Sequence, residues 1–103
     1  NKNSPMTEWE LGISENSTGI IIATVYPNPV VQEHTLEIKS NIGDRIDIQL
    51  YDLQGRNYGS MYTGTAISDL VSVSTDLSRL EPGVYIYHIQ MGDRDRKVRF
   101  VKQ

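Results

Sequence analysis

At 103 residues the chain is long enough for one domain with one core and no more. Its net charge of −3 argues against a general nucleic-acid binder, which is usually basic. It has no Cys, which removes disulfides, Cys-based zinc sites and thiol catalysis together, although this does not fix the compartment. No apolar run approaches the roughly 18 residues of a membrane-spanning helix, and the longest, Gly19-Ile-Ile-Ile-Ala23, is strand length.

The sequence opens at Asn1 without Met and reads as a piece of a longer protein or a processed one. Residues 1–19 are polar and irregular, the composition of a linker with a possible processing site. Trp9, Leu11 and Ile13 alternate within it, so a short edge strand is an option there. Ile20 to Tyr26 reads as the first strand of a domain spanning 20–103. It stops at Tyr26-Pro27-Asn28-Pro29. Neither Pro can donate to a ladder, and each pushes the residue before it toward extended geometry, so the exit reads as a rigid kink. His34 to Lys39 alternates, with Leu36 and Ile38 on one face and Thr35, Glu37 and Lys39 on the other. Arg45 to Tyr51 is the cleanest alternation, with Ile46, Ile48 and Leu50 inward and Asp47 and Gln49 outward.

Asp52-Leu-Gln-Gly55-Arg56 has the length of a hairpin connection, and Gly55 is available for a positive φ. Asn57 to Thr63 is a weaker strand with Tyr58 and Tyr62, and Leu70 to Thr75 is a further strand. Asp76 to Leu80 is a bridge with room for one helical turn. Pro82-Gly83 is a turn signal, and Val84 to Met91 is rich in strand-forming Tyr, Ile and Val. Gly92-Asp93-Arg94-Asp95 reverses the chain into Lys97 to Lys102, where Val98 and Phe100 face the core. Lys97, Arg99 and Lys102 are then expected to be free for solvent or for a partner.

Seven strands at spacings of about 8–14 residues, with turns between them and no long helix, predict an all-β, immunoglobulin-like sandwich of antiparallel strands. Leu80-x-Pro82-Gly83 followed by Tyr85 suits the corner where the chain changes sheets and a Tyr hydroxyl bonds back upstream. Such a fold by itself implies no function.

Little in the sequence points to chemistry. His34 and His88 each sit alone in a strand, where His is more often a satisfied structural side chain than a ligand or base. Asp93 and Asp95 flank Arg94 at a hairpin tip, the usual place for solvated charge, and a calcium loop needs more oxygen ligands in register. There is no Gly-x-Ser-x-Gly elbow and no Gly-rich phosphate loop opening a helix. Trp9, Tyr26, Tyr58, Tyr62 and Tyr87 could build a sugar-stacking platform, but strand Tyr residues more often pack half-buried. The sequence therefore names no catalytic residue, no metal ligand and no cofactor. What remains is a basic tail in which Arg94, Arg96, Lys97, Arg99 and Lys102 crowd a domain that is otherwise acidic. Its bland role is protection of an edge strand, and its sharper role is docking to an acidic partner.

Four blocks resemble a known family: Val25-Tyr26-Pro27-Asn28-Pro29-Val30, Ile48-Gln-Leu-Tyr-Asp-Leu-Gln-Gly55-Arg56, Leu80-x-Pro82-Gly83-Val-Tyr85 and Lys97-Val-Arg99-Phe100-Val101-Lys102. In order and spacing they are similar to the type A C-terminal sorting domain of type IX (Por) secretion cargo proteins of Bacteroidetes-type bacteria. The resemblance runs from about Ile20 to the end. It implies a sandwich fold and an address label without catalytic activity. The partners it implies are a preceding cargo domain, an outer-membrane translocon and a surface sortase that commonly removes the label. The route it implies is through the periplasm to the cell surface or the medium. Carried over by position, Tyr26, Pro27, Asn28 and Pro29 form the kink, Gly55 and Gly83 hold turns, and Lys97, Arg99, Phe100, Val101 and Lys102 form the terminal signal. A processing site would lie at Gly12 to Thr18 or upstream of Asn1. Unlike the family pattern, the tail continues past its last basic residue to Gln103.

With this resemblance the docking role of the tail moves ahead of edge protection, and the two are compatible with β-augmentation of the last strand. A homodimer through the same edge is a further expectation for the isolated chain. The rival reading is a fibronectin type III-like structural or carbohydrate-binding accessory module of a secreted hydrolase. A small enzyme is a third, with no residue constellation behind it.

Overall fold

The strands follow from period-two burial. In the computed structural model, which describes residues 20–103, Ile46, Ile48 and Leu50 are buried while Asp47 and Gln49 between them are not. The same alternation recurs in the other strands except the fourth, whose burial is irregular and whose pairing with the third is broken by two register shifts. The strands are β1 (Ala23–Tyr26), β2 (Glu33–Lys39), β3 (Arg45–Asp52), β4 (Asn57–Thr65), β5 (Leu70–Asp76), β6 (Gly83–Met91) and β7 (Arg94–Lys102). The linker, the edge-strand option at Trp9 and the processing segment lie outside the described residues.

One sheet has the order β1-β2-β5 and the other β4-β3-β6-β7, with every neighbouring pair antiparallel. Leu36, Ile38 and Val73 of the first sheet pack against Ile46, Ile48, Leu50, Tyr87, Ile89 and Phe100 of the second. This is the antiparallel sandwich that the spacing of strands and turns predicts. The chain changes sheets between β5 and β6, and there the Tyr85 hydroxyl donates to the Glu81 carbonyl at 2.7 Å, closing the expected tyrosine corner.

The structure departs from the sequence reading in several places. β1 starts at Ala23 and not at Ile20, because the Ile21 carbonyl accepts from the Arg96 guanidinium at 2.9 Å instead of joining a ladder. The Asp76–Leu80 bridge is no helix: Leu80 N–H bonds to the Leu77 carbonyl in a single turn, and buried Leu77 donates its own N–H to Gln32. β7 begins at Arg94, since Gly92-Asp93 alone makes the reversal with Gly92 at φ +64°. Finally, Lys102 is only 6% exposed, against the expectation that it is solvated. It shares strand parity with Val98 and Phe100, so it points inward, and its Nζ donates to the Gln103 main-chain oxygen at 2.9 Å. Val101 takes the outward position and is 39% exposed.

Phe100 is 1% exposed, with its ring against those of His34, Tyr85 and Tyr87. Phe100→Ala is expected to cost about 3–5 kcal/mol, the range for emptying an aromatic site in a packed core. Urea unfolding of the two proteins measures it, and a loss below about 1 kcal/mol would show that the site collapses or is loosely packed.

Candidate functional site

The β3–β4 connection is organised by one carboxylate. Asp52 ends β3, and its Oδ1 accepts the N–H groups of Gln54 and Arg56, each at 2.9 Å. Its Oδ2 accepts the Tyr58 hydroxyl at 3.1 Å and lies 3.7 Å from Arg56 Nε. An Asp at a strand end bonding the main chain two residues on is an Asx-turn, and Gly55 completes it at φ +90°. Burial pushes the Asp52 carboxyl up, but the Arg56, Tyr58 and Gln54 donors and the Arg56 charge outweigh it and hold the group below its ordinary value.

Strand register sets this loop beside the tyrosine corner. Asp52 pairs with Tyr85, and the Tyr58 and Tyr85 rings meet edge-on with centroids 5.7 Å apart. Glu81, Pro82 and Gly83 share an open surface recess with Asp52, Arg56 and Tyr58.

Register also sets the end of β7 against the corner, because Gly83 pairs with Lys102. The Pro-rich kink then closes over that end. Asn28 Oδ1 accepts the Val101 N–H at 3.0 Å. Val30 N–H donates to the Val101 carbonyl at 2.9 Å, and Gln103 N–H donates to the Val30 carbonyl at 2.8 Å. Val30 thus forms a parallel bridge with Lys102 and is itself fully buried. The Tyr26–Pro27 and Asn28–Pro29 peptide bonds are both cis. Tyr26 is half exposed, and its hydroxyl donates to Glu37 Oε2 at 2.6 Å, which raises the phenol above its ordinary value.

His34 lies beneath these contacts. It is 2% exposed, its Nε2 is 2.6 Å from the Tyr87 hydroxyl, and its ring meets Phe100 edge-on at 4.7 Å. Nδ1 is buried without a hydrogen-bond partner among the described residues. Burial lowers the imidazole below its ordinary value, and the Pro27 carbonyl opposes this only in part. Burial likewise raises Tyr87. The other histidine, His88, faces outward and pairs with Asp95 Oδ2 at 2.9 Å. Among the described residues, no three His, Asp or Glu side chains gather in a way that could hold a metal ion. The Tyr residues do not form one platform. Tyr87 is buried, Tyr58 and Tyr62 pack on the core from β4, and Tyr26 lies in the other sheet, while Trp9 is outside the described residues.

The structure therefore gathers Tyr26, Pro27, Asn28, Pro29, Gly55, Gly83, Tyr85, Phe100, Val101 and Lys102 at one end of the sandwich. Lys97 and Arg99 stand further along β7 on its outer face, opposite His88 and Ile86. The described chain enters at the other end, where the Ile22 carbonyl accepts from Lys39 and Ser40 bonds to Asp69. Four segments far apart in sequence have converged away from the point of entry. A comparison with protein families matches residues 24–103 to the secretion system C-terminal sorting domain.

The chain belongs to this family.

A sorting domain of this kind is a C-terminal type IX secretion signal carried by a larger cargo protein, which is exported toward the cell surface or the medium. Sorting tails are generally non-catalytic. A comparison with curated proteins finds no match. Two features of the sorting domain's end carried a sequence signal that the reading above does not use. Asp52 three residues before Gly55 is an Asx-turn pattern, and His34 has the parity of Leu36 and Ile38. The Asn28 side-chain bond to Val101 had none, since it spans 73 residues.

The His34 environment makes a pH prediction. The folded domain refuses a proton that the unfolded chain accepts, so stability is complete above about pH 6.5 and falls as pH drops below it. His34→Gln is expected to flatten that fall in urea midpoints, with His88 left in place as the second imidazole. A separate loss at lower pH should survive in the variant, as Asp52 and Asp76, both held below the ordinary carboxylate value, are protonated. An unchanged slope below pH 6.5 in the variant would assign that titration elsewhere.

Proposed function

We propose that this domain is a non-catalytic label whose gathered end and basic last strand are read by the type IX export machinery. The cargo crosses the inner membrane separately, and the label acts in the periplasm, delivering it to an outer-membrane translocon. A surface sortase then cuts in the segment ahead of Ile20. The observation that carries this reading is the convergence of the four sequence blocks on the end remote from Ile22, where the chain joins whatever precedes the domain. A recognition surface there is not shadowed by its own cargo. Lys97 and Arg99 add exposed positive charge on the adjoining face, and neither side chain is needed by the core. Phe100 and Tyr85 act by holding that end together, not by touching a partner.

The test is export of a reporter carrying a signal peptide and Asn1–Gln103 in a bacterium with a type IX system. Deleting Lys97–Gln103 would remove buried Phe100 and confound folding with recognition. A paired Lys97→Ala, Arg99→Ala change avoids this, because both are exposed and should alter stability by no more than about 0.5 kcal/mol. The parent domain is expected to deliver reporter to the surface or medium and the paired variant to retain it in the periplasm. Export of the variant at parent level would remove those two side chains from recognition. Retention of the folded parent would remove the sorting role.

A further inference from the structure

β7 is the edge of the four-stranded sheet, so one row of its main-chain groups faces no neighbouring strand. In an antiparallel ladder, every second residue sends both its N–H and its C=O outward. Val101 sets the phase, since its N–H goes to Asn28 Oδ1 and its C=O to Val30 N–H, both outside the sheet. No register shift interrupts the β6–β7 ladder, so Arg99 and Lys97 present their main-chain groups on the same outer row. No hydrogen bond among the described residues uses them. Among the described residues, the edge is bonded at Val101–Gln103 by the kink and unbonded at Lys97–Arg99.

The side chains around this opening are patterned. Lys97 and Arg99 are exposed on the outer face, and no ion pair among the described residues engages them. Val98 between them turns inward, half-buried against the core. Residues directly opposite on paired strands share a face and contact each other.

We propose that the Lys97–Arg99 edge of β7 takes an extended acidic strand from a partner protein, with acidic residues opposite Lys97 and Arg99 and an apolar residue opposite Val98. The open main-chain row supplies the hydrogen bonds, and the two cations select the sign of the incoming strand. A second copy of this chain is a poor occupant. Antiparallel β7–β7 pairing centred on Val98 sets Lys97 and Arg99 against one another, and like charges directly opposite destabilise a pair. The edge-strand homodimer expected for the isolated chain is therefore opposed in that register. The proposal deepens the sorting reading and rests on it for the partner's setting in the cell, but the edge chemistry is testable without the export machinery.

The experiment titrates the isotope-labelled 103-residue chain with a capped octapeptide of alternating Glu and apolar or Thr residues, and with the same peptide carrying Lys for Glu, following amide shifts. The acidic peptide is expected to bind, moving the Lys97 and Arg99 amides most, and the basic one to bind at least about tenfold more weakly. Lys97→Pro deletes an N–H that the fold does not use, so it should keep the native spectrum yet weaken the acidic peptide about tenfold, while Lys97→Ala weakens it less. The paired Lys97→Glu, Arg99→Glu variant should reverse the preference, which keeps the proposal open to refutation even if the proline variant unfolds. Absence of binding, equal binding of the two peptides, shifts centred elsewhere, a preference that does not reverse, or self-association through the β7 amides would each overturn it. Peptide binding that survives in a chain unable to direct export would support the edge and count against the sorting role alone.

Discussion

The end of the chain is held by the kink at Asn28–Val30. β7 sits at a sheet edge, and an edge strand bonded on one side only is the easiest part of a sandwich to peel away. Three hydrogen bonds between Asn28–Val30 and Val101–Gln103 give it a second neighbour where it matters. They also tie the two sheets together, because the kink leaves β1 in one sheet and lands on β7 in the other. The two prolines that stop β1 are thus what frees Asn28 and Val30 to serve the last strand.

Beneath this stitch the packing is aromatic and partly polar. Phe100 stacks between Tyr85 and Tyr87, and His34 reaches across from β2 to bond the Tyr87 hydroxyl. A neutral imidazole suits that place, since an unpaired buried cation would be costly. Lys102 reaches the same region by a different compromise. Its stem is covered while its ammonium bonds the Gln103 main-chain oxygen. A basic residue at this position is therefore a structural part of the terminus, and the cations offered to the outside are Lys97 and Arg99.

The division of labour along β7 follows from this. Its C-terminal third is locked by the kink, the corner and the core, which keeps the gathered end in one shape. Its middle carries, at Lys97 and Arg99, main-chain groups and charges that no other described residue engages.

Much of this was present in the sequence. Period-two alternation placed Ile46, Ile48, Leu50 and Phe100 in the core, and turn residues placed the reversals at Gly55 and Gly92, because both signals act between residues close in the chain. The Pro82-Gly83-Val-Tyr85 string foretold the corner for the same reason. The inward turn of Lys102 was legible too, and was misread by weighing residue type above parity. What only the tertiary structure decided is which distant segments meet. The Asn28–Val101 bond, the His34–Tyr87 contact and the gathering of four blocks at one end depend on sheet order, and sheet order is set by burying two apolar faces together, a global requirement that no local pattern encodes.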